Sequence, residues 1–115
     1  LIEAVGAESV PYLWQTRCCG GVLMTTEKAI GVKLVGELLA AAQGADCIVT
    51  VCPMCQMNLD AYQGEILARL DVRIPMPVLF LTQLIGLAFE LPEKDLLFEQ
   101  NIVSVGGLLR QLQRV

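Results

Sequence analysis

The sequence has 115 residues, a net charge of −4 and no histidine. Hydrophobic residues make up 55% of it and charged residues 17%, which excludes a disordered tail and allows one modest core. The acidic balance, without any cluster of lysine or arginine, argues against nucleic acid and anionic membrane surfaces as partners. The lack of histidine also excludes, within this chain, a Ser-His-Asp triad, a Cys-His protease pair and every histidine-containing zinc site.

The five cysteines come without any secretory signal, which indicates a reducing compartment and predicts a cytoplasmic protein. In that compartment cysteines serve metal or redox chemistry more often than a disulfide framework. The longest uncharged stretch, residues 74–89, is shorter than the roughly 18 residues that a membrane-spanning helix requires, so no direct membrane insertion is expected. The chain starts at Leu1 without an initiator methionine. We expect one domain over residues 1–115, cut from a longer protein.

The first part of the chain indicates a short strand and then a helix. The pattern of residues 1–17 is ambiguous, but Val10, Tyr12 and Trp14 alternate as in a short strand that leads into Cys18. A helix is then expected from Glu27, capped by a threonine, with one apolar stripe and an end at a glycine. The caps are Thr25 or Thr26, the stripe is Leu34, Val35, Leu38, Leu39 and Ala42, and the terminating residue is Gly44.

The rest of the chain continues the alternation of strand and helix. A buried parallel strand is expected over residues 47–51, and a second helix from Pro53 to about Leu70. A further strand over residues 77–80 leads into a third helix closed by Pro92, and a weak helix follows near residues 108–112. On the second helix, the residues predicted to point away from the apolar face are Asp60, Gln63 and Arg69. The alternation predicts an α/β domain with a small, mainly parallel sheet flanked by helices.

Four cysteines fall into two groups, the adjacent pair Cys18-Cys19 and the Cys52-x-x-Cys55 motif. Both groups are predicted just after a strand and just before a helix. In parallel α/β sheets such positions share one edge, where ligands collect. We therefore expect the four thiols to meet at one end of the sheet, although residues 20–51 separate the two groups.

The local setting of these cysteines favours thiolates. A helix N-terminus at the second motif stabilises negative sulfur, and Gly20 and Gly21 let backbone N–H groups approach the first pair. A single Cys-x-x-Cys suits a thioredoxin-like redox pair or half of a zinc site, but the two groups together indicate a metal site. The alternative is four unrelated core cysteines. Cys47, inside a predicted strand, is expected to be a small buried hydrophobic residue and not a ligand.

These motifs resemble the cysteine-rich CCG domain, and more narrowly its C-terminal copy in the B subunit of heterodisulfide reductase. The resemblance covers roughly residues 10–115 and is carried by the Cys-Cys-Gly-Gly run at 18–21 and by residues 44–50, 52–60 and 77–88. It implies that the chain is the C-terminal half of a subunit with two CCG domains. The family motif also has a further cysteine well upstream of the adjacent pair, and only 17 residues precede Cys18 here.

The resemblance implies a redox subunit that reduces a disulfide by electron transfer through a non-cubane [4Fe-4S] cluster. By position it makes Cys18, Cys19, Cys52 and Cys55 the catalytic metal ligands, with Gly20 and Gly21 at the cofactor. It also implies a small-molecule disulfide or thiol and, as partners, the iron–sulfur C subunit and the flavin-containing A subunit of a heterodisulfide reductase-type complex. With one family ligand missing, the isolated chain prepared in air is expected to be inactive and to lack the native cluster, its pocket being empty, partly oxidised or filled by zinc.

Two other functions remain open at this point. One is an electron-relay iron–sulfur module of a glycolate-, lactate- or succinate-type dehydrogenase, in which the cluster passes electrons without breaking a bond. The other is a structural zinc domain in which four cysteines hold the ion. Met54 and Met57 are expected at core or rim positions of the helix; the alternative is that they line a substrate groove.

Overall fold

The computed structural model describes residues 1–69 and 75–113. Helices and strands alternate in the order α1 (Leu23–Thr26), α2 (Lys28–Ala41), β1 (Ile48–Thr50), α3 (Pro53–Ala61), α4 (Gln63–Leu67), β2 (Val78–Phe80), α5 (Leu81–Ala88) and α6 (Gly106–Gln113). Short 3-10 turns lie at Glu3–Val5, Glu93–Asp95 and Phe98–Gln100. The single helix predicted from Pro53 is two helices, α3 and α4, which are separated at Tyr62, and α4 ends at Leu67. Leu70, the predicted end of that helix, lies outside the described residues.

The two strands form a small parallel sheet. Ile48 lies opposite Val78 and Thr50 opposite Phe80, so the crossover between β1 and β2 contains α3 and α4. Val78 and Leu79 are fully buried, as expected for apolar strands that are covered by helices. The predicted α/β class with a small parallel sheet is confirmed.

The core is built on the predicted stripe of α2. Val35 and Leu39 are completely buried and Leu38 nearly so, and burying each such side chain stabilises a fold by roughly 1.5–3 kcal/mol. They pack with Leu59 and Ile66 from the α3–α4 segment. The helix ends at Ala41, slightly earlier than predicted; Gly44, with φ of +99°, lies in the turn that leads to β1.

The predicted strand over residues 10–17 is wrong. Within that range the backbone makes turn hydrogen bonds, from the N–H of Gln15 to the carbonyl of Tyr12 and from the N–H of Arg17 to the carbonyl of Trp14. Tyr12 and Trp14 pack against the core from this loop, and the Tyr12 hydroxyl donates to the Leu38 carbonyl at 2.7 Å. The alternation that indicated a strand comes from two aromatic side chains that a loop packs against the core. The first cysteine pair therefore follows a turn and not a strand.

The predicted threonine caps are also wrong. The hydroxyls of Thr25 and Thr26 donate to the Val22 carbonyl, at 2.8 and 3.2 Å, and so belong to the short helix α1. Helix α2 begins at Lys28, one residue later than expected, with Glu27 at its N-cap and no side-chain cap. The sequence pattern did not separate α1 from α2, because the break between them is only one residue long.

Asp60 and Gln63 were predicted to point away from the core, and this is wrong. Asp60 is 5% exposed and its carboxylate accepts hydrogen bonds from the backbone N–H groups of residues 102–103, at 2.7 and 2.8 Å. Gln63 is 2% exposed; its amide donates to the Met76 carbonyl and accepts from the Met76 N–H. Both side chains satisfy backbone groups of irregular segments, which would otherwise be left without partners. Arg69 is exposed, as predicted.

The C-terminal third is less tightly packed. The predicted third helix is confirmed as α5, but its apolar residues Leu84 and Ile85 are only half-buried. The weak helix predicted near the end is α6. In the part of the chain that is described, no helix combines the length and the apolar character required to cross a membrane.

Candidate metal centre

Cys52 and Cys55 lie at the N-terminus of α3, directly beyond the carboxyl end of β1. Cys52 is the N-cap residue, in an extended conformation, and Pro53 occupies the first turn as predicted. The backbone N–H groups of Cys55 and Met54 face the Cys52 sulfur without forming a well-aligned cap hydrogen bond, and they lower the pKa of its thiol. Cys52 is exposed. A thiol in this position is readily deprotonated and accessible.

Cys55 has the opposite electrostatic environment. Burial, together with the adjacent Cys19 side chain, raises the pKa of the Cys55 thiol to about 12. Cys55 also lies next to Cys52, so the sulfurs of Cys19, Cys55 and Cys52 form a continuous group. The two cysteine motifs therefore meet at one place, as the sequence predicted, although only the second of them follows a strand.

Cys19 is the buried member of this group, with 1% of its surface exposed. The N–H of Gly21 donates to its sulfur at 3.4 Å, and the N–H of Gly20 donates in the same way to the sulfur of Cys18. Gly20 and Gly21 have φ values of +96° and +54°, a region that strongly favours glycine. The expectation that these two glycines bring backbone N–H groups to the cysteine sulfurs is confirmed.

Cys18 is the candidate that stands apart. Its side chain is exposed, and its described hydrogen bond is the local one from Gly20. Across residues 1–69 and 75–113, no three cysteine or carboxylate side chains are arranged to hold a metal ion directly. The chain thus offers four soft sulfur donors, the type that iron–sulfur groups and zinc select, with three of them in one group. In donor type these residues fit a thiolate-bound metal group.

Cys47 lies at the other end of β1 from this group. It precedes the strand by one residue and is half-buried rather than fully buried, which corrects the expectation of a core position. Burial and the neighbouring Asp46 carboxylate raise the pKa of its thiol. It lines a separate cavity of about 650 Å³ with Tyr12 and Leu84.

Asn58 is a residue of the site that sequence reasoning did not single out. It is 1% exposed, and its Nδ2 donates to the Gly21 carbonyl at 2.9 Å and to the Cys19 sulfur at 3.4 Å. Its Oδ1 is buried and makes no hydrogen bond to any described residue, which for a buried acceptor costs roughly 1–3 kcal/mol. The signal that could have identified it is helical spacing, since Asn58 is three residues after Cys55 and shares its face of α3.

An open cleft of about 760 Å³ lies beside α3, and none of the four cysteines is among the residues that line it. It is bordered by Pro53, the residue after Cys52, and by the largely apolar side chains of Met57, Phe80 and Leu91. Met57 is 46% exposed and lines the cleft, so it does not occupy a core position of the helix.

The differing thiols predict a marked order of reactivity. In the reduced, metal-free chain we expect iodoacetamide to modify Cys52 first and Cys55 and Cys47 at least tenfold more slowly near pH 7, because the thiolate is the nucleophile. The Cys52 rate should reach its plateau at a lower pH than that of a free cysteine peptide. The Cys55 rate should still be rising at about pH 10. Peptide mass spectrometry after timed alkylation gives each rate; equal rates at Cys52 and Cys55 would contradict the assignment.

Comparison with known proteins gives a consistent result. A family model described as a cysteine-rich domain, CCG, matches residues 1–60. The 8-methylmenaquinol:fumarate reductase membrane anchor subunit of Wolinella succinogenes is 35% identical over 110 residues, which is 94% of this chain and 39% of that protein.

Two further relatives carry the name of another enzyme. The B subunit of the ferredoxin/F(420)H(2)-dependent CoB-CoM heterodisulfide reductase of Methanosarcina acetivorans is 35% identical over 90% of this chain and 36% of its own length. A protein of Archaeoglobus profundus, named as similar to the B subunit of heterodisulfide reductase, is 37% identical over 82% of this chain and 33% of its own length. The chain therefore spans less than two fifths of the length of these relatives. With its two cysteine motifs joined at one end of a parallel sheet, it belongs to the cysteine-rich CCG domain family.

Proposed function

We propose that this chain is a cluster-binding unit of an iron–sulfur redox subunit of the heterodisulfide reductase type. In this proposal Cys18, Cys19, Cys52 and Cys55 are ligands of a non-cubane [4Fe-4S] cluster, and Gly20 and Gly21 position the first pair. The observation that carries the proposal is that Cys19 lies beside Cys55 and is joined to α3 by the Asn58 amide, 3.4 Å from its sulfur, so that two motifs far apart in the sequence come together.

The residues around these sulfurs suit such a role. When bound, the cluster supplies single electrons to a disulfide. Cys19 would hold it from the buried side, where water is excluded, and Cys52 from the exposed side. The cleft that begins at Pro53 would admit a disulfide or thiol of small-molecule size, and its apolar wall at Met57 and Leu91 would contact the carbon skeleton of that ligand. Substrate would thus approach the centre on the Cys52 side.

The wider assembly is part of the same proposal. Because the relatives are about two and a half times as long as this chain, we propose that it is one CCG domain of a two-domain subunit. Relatives named as the B subunit of a heterodisulfide reductase support other subunits as partners. We propose that these partners are the iron–sulfur C subunit and the flavin-containing A subunit, and that the complex acts in the cytoplasm.

A second function is supported by a specific finding. The Wolinella succinogenes relative, 35% identical over 94% of this chain, is named as a subunit of a fumarate reductase. This favours an electron-relay module, in which the same four cysteines hold a cluster that passes electrons without binding a disulfide. A structural zinc domain has weaker support, because the relatives carry the names of fumarate reductase and heterodisulfide reductase subunits.

Anaerobic reconstitution tests the proposal. The reduced chain is incubated with ferrous iron and sulfide, desalted, and analysed for iron, sulfide and EPR signals, beside a sample loaded with zinc. We expect uptake of both iron and sulfide and an EPR signal that changes when a small thiol or disulfide is added. An EPR signal that does not change when thiols or disulfides are added would support the electron-relay module instead. Uptake of zinc alone, without iron or sulfide, would reject both redox functions.

Cys47 provides the matched cysteine control. Replacing Cys47 with alanine should leave iron and sulfide uptake unchanged, because this thiol lies at the opposite end of β1 from the other four. We expect a loss of about 1 kcal/mol in the free energy of unfolding, typical of a small change at a half-buried position. Iron analysis and urea denaturation measure the two effects. Loss of iron in this variant alone would show that the ligand set is assigned wrongly.

A further inference from the structure

We infer that Asn58 is a positioning residue for the metal centre, which holds the Cys19 sulfur as a hydrogen-bond acceptor and thereby raises the reduction potential of the bound cluster. The inference rests on the proposed function for its redox part. Its geometric part concerns the metal-free chain and stands on contacts that the structure describes.

The orientation of the Asn58 amide is fixed by its second partner. The Gly21 carbonyl, 2.9 Å from Nδ2, can only accept a hydrogen bond, so the NH2 end of the amide must face it. The other hydrogen of the same nitrogen is then available to the Cys19 sulfur, 3.4 Å away. Rotating the amide by half a turn would place two acceptors against each other at Gly21. The sulfur is therefore presented with a donor.

A second N–H group points at the same atom. The Gly21 N–H also donates to the Cys19 sulfur at 3.4 Å, so a sulfur with 1% residue exposure receives two donors. Two N–H groups directed at one buried sulfur are the outer hydrogen bonds that orient a metal-ligating cysteine. Asn58 thus joins the loop at residues 18–21 to helix α3, across more than 35 residues of sequence.

The unpaired oxygen of Asn58 supports the same conclusion. Oδ1 is buried without a partner among the described residues, whereas the equally buried amide of Gln63 uses both its ends. Orienting Nδ2 toward Cys19 and Gly21 is what leaves Oδ1 unsatisfied. Buried polar atoms are rarely left unpaired, and an exception beside a cysteine group is typical of a functional position.

The expected consequence is a change in redox behaviour. Hydrogen bonds to the sulfurs of an iron–sulfur centre stabilise its reduced, more negative state and so raise its potential. Replacing Asn58 with leucine, a residue of similar shape without N–H donors, should therefore shift the midpoint potential of the reconstituted chain to a more negative value. Asn58→Asp keeps the shape but replaces the donor by an acceptor, so its shift should be larger in the same direction.

Gln63→Met is the matched control. Gln63 is another buried amide of the same helical segment and bonds to backbone groups rather than to sulfur. Both substitutions should destabilise the fold, but only those at Asn58 should move the potential. In the metal-free chain, alkylation of Cys19 should be several-fold faster in Asn58→Leu than in Gln63→Met, because the contact that holds the loop is lost.

The outcomes separate this inference from the proposed function. An unchanged potential in both Asn58 variants, with Cys19 alkylation no faster than in the control, overturns the inference even if iron is bound. If the wild-type chain takes up no iron, the proposed function fails. The positioning role of Asn58 is then tested only by the ratio of the Cys19 alkylation rates in Asn58→Leu and Gln63→Met. If the Asn58 variants do not fold, NMR of the wild-type chain decides: the Nδ2 hydrogens should exchange slowly and shift when cadmium is added, and fast exchange would overturn the inference.

Discussion

Replacing Cys19 with alanine should remove at least nine tenths of the iron that the reconstituted chain takes up. Cys19 is the one member of the sulfur group that is fully buried, and it contacts Cys55, the Gly21 N–H and the Asn58 amide. Without the Cys19 sulfur, the first cysteine motif has no buried sulfur ligand that lies next to the second motif. Iron and sulfide analysis after anaerobic reconstitution measures the loss, and circular dichroism checks that the variant is folded.

The size of this effect should depend on position in the group. Cys18→Ala removes an exposed sulfur with only a local hydrogen bond, so it should retain more iron than Cys19→Ala does. Cys47→Ala should retain all of it. Full iron uptake by a folded Cys19→Ala variant would exclude Cys19 as a ligand and would reject the proposed centre.

The features that the sequence predicted correctly depend on local signals. Pro53 after an apolar β-rich run marks the start of α3, and the stripe containing Val35 and Leu39 marks the buried face of α2. The glycines at 20 and 21 predicted close approach of the backbone to sulfur, because few other residues adopt their φ values. In each case the residues that determine the structure lie within one or two turns of each other.

The features that the sequence did not predict depend on hydrogen-bond partners that are distant in the sequence. Asp60 accepts hydrogen bonds from residues 102–103, more than 40 residues away, and nothing near Asp60 indicates that a loop will bring those N–H groups to it. On a helix, the same carboxylate is typical of a solvent-facing charge. The amide of Asn58 was overlooked for the same reason, since its partner Gly21 becomes a neighbour only after folding. At Tyr12 and Trp14 the prediction failed for a different reason, because a local alternation typical of a strand occurs in a loop.

Replacing Gly31 with alanine should lower the free energy of unfolding by about 1–3 kcal/mol, the usual range for overpacking a tight contact. Gly31 is on the face of α2 that touches α1, where an added Cβ would lie 2.7 Å from the Cα and 2.8 Å from the nitrogen of Met24. Both are backbone atoms, so no side chain can rotate away and α1 as a whole must shift. Urea denaturation followed by circular dichroism measures the loss.

Gly64→Ala is the control for this substitution. Gly64 lies in α4, and a Cβ added there would meet no heavy atom within 4 Å, so the same chemical change should stabilise the chain by up to ~1 kcal/mol through helix propensity. The two variants should also differ at the metal centre. Because α1 directly follows the loop that carries Cys18 and Cys19, a shift of α1 in Gly31→Ala should reduce iron uptake, whereas Gly64→Ala should leave it unchanged. Equal stability of the two variants would mean that α1 is not held against α2 at Gly31, and the buried position of Cys19 would then require another explanation.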